Sequence, residues 1–177
     1  MLFDKQLGKK ILVLGSPGSG KTALSTSISQ IYKIPVYHLD DLYWHENWER
    51  GEEKEFAEHL QKIIMSKCWV IDGNYYHLFF QERLKEADTV ILIDIPAFIC
   101  VYRVLKRYLR IIGGDTTHLP KKVRDYAKSH DVRSNINWKF IKFVAQFRKK
   151  VLPNMKKDLL QADCNTINVY WYSKNNK

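Results

Sequence analysis

Cysteine is scarce and scattered in this chain. Cys68, Cys100 and Cys164 stand far apart in 177 residues with no C-x-x-C pair, which excludes a disulfide framework and a zinc-ribbon spacing and points to a reducing, cytoplasmic setting. Two of them sit in apolar runs, where a thiol behaves as a small buried hydrophobe. No apolar run approaches the roughly 18 residues of a membrane span, and no charged-then-apolar leader opens the sequence, so neither a span nor a signal peptide is expected. Internal repeats and low-complexity segments are missing as well. The six histidines share no metal-ligand spacing, so none is assigned a role. Helix-turn-helix, zinc-finger and RNA-recognition signatures are all lacking. With 45% hydrophobic residues, what remains is enough for one core, and residues 1–177 read as a single domain.

Acidic charge is missing from one stretch in particular. Residues 103–157 hold 16 Lys and Arg against Asp115, Asp125 and Asp131, whereas the rest of the chain holds 13 basic and 16 acidic residues, so the whole net charge of +10 comes from that segment. Such a segment either meets an anion or is a solvated basic face.

The strongest signal is Gly15-Ser16-Pro17-Gly18-Ser19-Gly20-Lys21-Thr22, a G-x-x-x-x-G-K-[ST] loop. It follows the apolar run Ile11 to Leu14, the pattern of a buried parallel strand over 9–14, and precedes Leu24, Ile28 and Ile31 at helical spacing. In that context the glycines let the backbone curl around phosphate oxygens, Lys21 reaches the β- and γ-phosphates of a nucleoside triphosphate, and the Thr22 hydroxyl ligates Mg²⁺. ATP and Mg²⁺ are therefore the expected substrate and cofactor.

Pro35 to Asp40 reads as a second strand ending on the carboxylates Asp40 and Asp41, near where ligands bind in open α/β sheets. The aromatic stretch 42–48 is either a surface flap or packing at the core edge. A helix is predicted over 52–65, with Phe56, Leu60, Ile63 and Ile64 inward. Strands follow over 68–73 and 89–94, the second ending on Asp94, read as a turn or helix cap. The helix from Ala97 is predicted to bury Phe98, Tyr102, Leu105, Leu109 and Ile112, with Arg103, Arg107 and Arg110 sharing another face. Gly113-Gly114 stops it, residues 115–135 read as a mobile polar excursion, a helix spans 136–151 until Pro153, and a last strand covers 166–172. Strands alternating with helices give a three-layer, doubly wound, parallel α/β sheet.

The order of these segments resembles the adenylate-kinase-like branch of P-loop kinases. His38-Leu-Asp-Asp-Leu-Tyr-Trp44 and Ile71-Asp-Gly-Asn-Tyr75 are more closely similar to the bacterial topology modulation protein group. The resemblance implies a five-stranded sheet of order 2-3-1-4-5 and a helical lid over about 110–135. It also implies a water-mediated Mg²⁺ contact from Asp72, and lid arginines Arg103 and Arg107 that clamp phosphates. An ATP-dependent phosphotransferase follows, with Asp40 orienting or deprotonating a small acceptor and Asp41, Tyr75 and Arg83 beside it. One position departs from the branch. Four residues after Asp72, where related nucleoside monophosphate kinases carry an arginine, this chain has Tyr76; the acceptor either lacks a phosphate or has its charge met by Arg83. The alternative from another class is a nucleic-acid-binding regulator working through the basic segment.

Overall fold

The computed structural model describes residues 7–128, 130, 137–162 and 167–173. Cys164, Arg133 and the expected starts at Ile136 and Thr166 lie outside them. Strands β1 (Lys10–Gly15), β2 (Val36–His38), β3 (Trp69–Asp72), β4 (Thr89–Asp94) and β5 (Asn168–Ser173) form one sheet of order β2-β3-β1-β4-β5, every pair parallel. The central strands β1, β3 and β4 are near-continuous runs of Val, Ile and Leu because helices cover both faces. Ile11 to Leu14 and Val90 to Leu92 are 0% exposed. Alternation along these strands separates two cores. Leu12, Leu14, Trp69, Ile71, Val90 and Leu92 pack one face with Phe56, Leu60, Phe147 and Met155; Ile11, Val13, Val70, Ile91 and Ile93 pack the other with Ile28, Cys100, Val104 and Val144.

The helices are α1 (Lys21–Tyr32), α2 (Leu39–Tyr43), α3 (Glu53–Ile64), α4 (Phe80–Glu86), α5 (Ala97–Ile112), α6 (Lys121–Ala127), α7 (Trp138–Lys150) and α8 (Leu152–Gln161), with a 3₁₀ turn at Glu46–Trp48. Four of them, α2, α4, α6 and α8, are too short to announce themselves by hydrophobic period. Three expectations change in consequence. The second strand stops at His38, and Asp40 and Asp41 occupy the first turn of α2, where carboxylates suit the helix dipole. Pro153 sits in the first turn of α8, a position that needs no N–H donor, and so opens a new helix. Residues 115–128, expected as a mobile excursion, are ordered: α6 buries Leu119 and Val123 against Ile111 and Trp44 in a small separate core, while 129 and 131–135 lie outside the described residues.

Helix α5 reverses the expected orientation. Phe98, Tyr102, Leu109 and Ile112 are 74%, 64%, 65% and 53% exposed, while Cys100, Val104 and Ile111 face the interior. The sequence carries two apolar stripes on nearly opposite sides, roughly 140° apart at 3.6 residues per turn, both with helical period, and Leu105 of the outward stripe is partly buried; periodicity alone cannot choose between them. Ile31 of α1 is likewise outward. In the stretch 42–48, Tyr43 decides between flap and core. It is buried, with its ring 5.1 Å from Trp44, 5.8 Å from Phe56 and 4.8 Å from Tyr75.

Candidate functional site

The Gly15–Thr22 loop leaves the C-terminal end of β1 and enters α1 directly. Gly18 and Gly20 adopt φ of 80° and 103°, which a side chain would strain. A Cβ on Gly18 would also sit 2.6 Å from the Cys100 carbonyl, so the loop lies directly on α5. Lys21 folds back to donate from Nζ to the Ser16 carbonyl at 3.1 Å. Ser19 Oγ is buried without a hydrogen-bond partner among the described residues. A buried hydroxyl left unpaired beside a lysine and a helix N-terminus suits an anion.

Parallel register brings the acidic side into place. His38 is the register partner of Asp72, and Val13, two residues before the loop, is the partner on the other side. Asp72 Oδ2 accepts from Thr22 Oγ1 at 2.7 Å and lies 3.1 Å from His38 Nδ1. Burial alone would raise the Asp72 carboxyl, yet the His38 hydrogen bond, the Lys21 charge and the Thr22 hydroxyl together hold it below the usual carboxylate range. His38 is raised in return, chiefly by its hydrogen bond to Asp72, against the opposing effect of burial. Sequence reasoning gave no histidine a role; the signal was available in the parallel register of two strands that both end at the loop. Asn74 was also missed. Its amide donates to the Gly15 carbonyl at 2.8 Å and accepts from the Gly15 N–H at 3.1 Å, pinning the first residue of the loop.

The remaining candidates fall at different places. Asp40 is exposed and accepts from Tyr75 Oη at 2.7 Å, with Tyr75 held at φ 31°. Asp41 faces the lid, accepting from the Lys121 N–H at 2.6 Å at the start of α6. Arg103 Nη1 donates to the Gly18 and Ser19 carbonyls at 3.2 and 3.3 Å, so it already lies on the loop. Arg107, one turn along, is half-buried. Arg110 lies 3.3 Å from His118, and Arg148 donates to Asp94, which also holds Lys156. Asp94 therefore ties α7 and α8 to the end of β4 and caps no helix.

Arg83 corrects an expectation. It is 0% exposed, and its guanidinium donates to the carbonyls of Gly73, Asn74, Tyr75, Leu78 and Phe79. All of its reach is spent inside the 73–79 loop, and burial lowers its pKa to about 10. It cannot contact a ligand in this fold. Tyr76, at the departing position, donates its hydroxyl to Asp158 of α8.

No family model matches the chain. Over 138 residues, 62% of the chain, it is 25% identical to adenylate kinases from two strains of Clostridium botulinum, Eklund 17B and Alaska E43. The match spans 64% of those relatives, less than two thirds of their length. A candidate kinase from Chloroflexus aurantiacus, solved at 1.70 Å, aligns with a TM-score of 0.51 at 14% identity, covering 95% of this chain and 89% of that one. The five-stranded order and this likeness identify the fold as the α/β fold of P-loop nucleoside triphosphatases.

Proposed function

We propose that this protein is an ATP-dependent phosphotransferase acting on a small acceptor, as the similarity to adenylate kinases and the finer resemblance to the topology modulation group suggest. The observation that carries the reading is the convergence on one loop of Lys21, the unpaired Ser19 hydroxyl, the Thr22–Asp72 pair and Arg103. The loop amides, Lys21 and the α1 N-terminus hold the triphosphate, and Arg103 and Arg107 neutralise charge on the transferring phosphoryl group. Thr22 and Asp72 are hard oxygen donors 2.7 Å apart, a set that would hold Mg²⁺. When bound, the metal would supply charge neutralisation to the triphosphate. Asp40, held by Tyr75, orients the acceptor and receives its proton. The ordered lid, docked by Asp41 and the Leu119–Val123 core, excludes water from the reaction.

The basic segment supports a lid more than a nucleic-acid face. Arg103 is spent on the loop, Arg110 lies against His118, and Arg148 and Lys156 are on Asp94. Those are four of the sixteen basic residues, and Lys139, Lys142, Lys149 and Lys150 stay exposed on α7, so the lid reading rests on Arg103 at the phosphate loop. Cys68 and Cys100 are free thiols, which supports a reducing, cytoplasmic location; among the described residues no helix is long and apolar enough to cross a membrane. The test is ATP turnover by Lys21→Ala with its circular dichroism spectrum unchanged. We expect turnover to vanish; near wild-type turnover at saturating ATP removes the kinase reading.

A further inference from the structure

We infer that His38 is a positioning residue for the metal–nucleotide end of the site: acting through Asp72, it holds the Thr22 hydroxyl in the orientation that would receive a divalent cation. The inference rests on the phosphotransferase reading and adds to it a residue outside the phosphate loop. The geometry begins with one oxygen. Asp72 Oδ2 accepts from Thr22 Oγ1 at 2.7 Å and lies 3.1 Å from His38 Nδ1, so a single carboxylate oxygen joins the phosphate loop to the end of β2. An ionised carboxylate can only accept, and the surroundings of Asp72 favour its ionised form, so Nδ1 is an imidazole nitrogen that carries hydrogen and donates it. Thr22 has one hydroxyl hydrogen. With that hydrogen given to Asp72, both lone pairs of the hydroxyl oxygen are left for a cation; with Asp72 turned elsewhere, the hydrogen is free to rotate toward the cation and oppose it. What fixes Asp72 therefore fixes the hydroxyl.

The backbone leaves this pairing little freedom. His38 and Asp72 are register partners at the C-terminal ends of adjacent strands, and His38 is the N-cap residue of α2. Immediately beyond them the two segments touch: a Cβ on Gly73, at φ 143°, would lie 2.8 Å from the Cβ of Leu39. The strand ends are pressed together where only a glycine fits, so the imidazole meets the carboxylate at a distance set by the sheet. The carboxylate also needs the contact. Asp72 is 4% exposed, and a buried carboxylate is costly unless its oxygens find donors. His38 is half-buried and supplies one from the side of β2, while Thr22 supplies the other from the loop. Hydrogen bonds that orient a metal-holding group in this way commonly carry about tenfold to hundredfold in metal affinity.

The experiment uses the full chain and calorimetry. Affinity for a non-hydrolysable ATP analogue is measured in EDTA and again in saturating Mg²⁺, for wild type, His38→Ala and His38→Asn. Asparagine places an amide N–H near the position of imidazole Nδ1, whereas alanine leaves no donor. The expected result is that His38→Ala loses at least about tenfold more affinity in Mg²⁺ than in EDTA, and that His38→Asn recovers most of that differential. A smaller differential overturns the proposal, because a residue that only supports the fold weakens both affinities alike. So does a His38→Asn protein that binds no better than His38→Ala. Circular dichroism establishes that each variant is folded; if His38→Ala is not, His38→Gln, whose amide falls near the position of Nε2, is held to the same outcome. A wild-type protein that binds the analogue equally in the two buffers also overturns the proposal. If wild type binds the analogue in neither buffer, it is the phosphotransferase reading that fails.

Discussion

Replacing Arg83 by methionine tests whether this residue serves the fold or a ligand. Methionine fills most of the guanidinium's volume and keeps the helical preference of α4, so the change isolates the hydrogen bonds. Five carbonyls lose a donor. Those of Asn74, Tyr75 and Phe79 belong to half-buried residues and can take water, whereas Gly73 and Leu78 are buried. Two buried carbonyls left unpaired cost about 1–3 kcal/mol each. Relief of the charge's desolvation offsets part of this, leaving a net loss of about 2–4 kcal/mol. For a chain of this size that corresponds to a fall in midpoint of about 5–15 °C. Urea and thermal unfolding followed by circular dichroism measure it, with Arg83→Lys expected to fall between wild type and methionine because an ammonium reaches fewer carbonyls. Because Asn74 lies in the same loop and pins Gly15, affinity for the ATP analogue should fall as well. An Arg83→Met protein with an unchanged midpoint and unchanged analogue affinity would refute the reasoning and return Arg83 to the list of ligand contacts.

Arg103→Ala is expected to lower kcat substantially, by up to about 10³-fold if it acts as an arginine finger does, with a smaller effect on ATP affinity; Lys149→Ala and Lys150→Ala, on the exposed end of α7, serve as controls in the same steady-state assay and should change little. Asp41→Ala removes the acceptor for the first N–H of α6 and should loosen the lid by about 1 kcal/mol, read as faster tryptic cleavage at Lys121, Lys122 and Arg124; cleavage at the wild-type rate would mean that the Leu119–Val123 core alone holds the helix. The His38–Asp72 pair gives a pH window in metal-free buffer. A His38 pKa raised above 6.5 contributes stability that is full below 6.5 and lost as pH rises through the folded value, and an Asp72 pKa lowered below 3.8 contributes stability present above 3.8 and lost as pH falls. The stability difference between wild type and His38→Gln, from urea titrations, should therefore be greatest between about pH 4 and 6.5 and shrink by pH 9; a difference constant from pH 5 to 9 contradicts the pairing.

What could be read from the chain and what could not divide along physical lines. The sheet was legible because β1, β3 and β4 are buried on both faces and so are written as unbroken apolar runs, and because the Gly15–Thr22 spacing fixes which strand feeds which helix. Helices α3 and α7 were legible because each has one apolar face. Helix α5 has two, and the inward one could be chosen only by the sheet it packs on. Arg83 was misread because a buried guanidinium and an anion-binding guanidinium look the same in sequence; the difference lies in five carbonyls of an irregular loop. His38 and Asn74 went unassigned for the opposite reason. Nothing in their neighbours along the chain marks them, and only parallel register sets them beside Asp72 and Gly15.

The contact between the basic and the acidic stretch of the chain has a consequence of its own. Basic residues gather between 103 and 157 and acidic ones between 36 and 82, and α6 brings the two together: the Lys121 N–H is on Asp41 and Lys122 Nζ lies 3.2 Å from His45 Nε2. At physiological ionic strength exposed charges are screened beyond about 8 Å. Added salt should therefore loosen the polar part of this seat while the apolar Leu119–Val123 core keeps its hold.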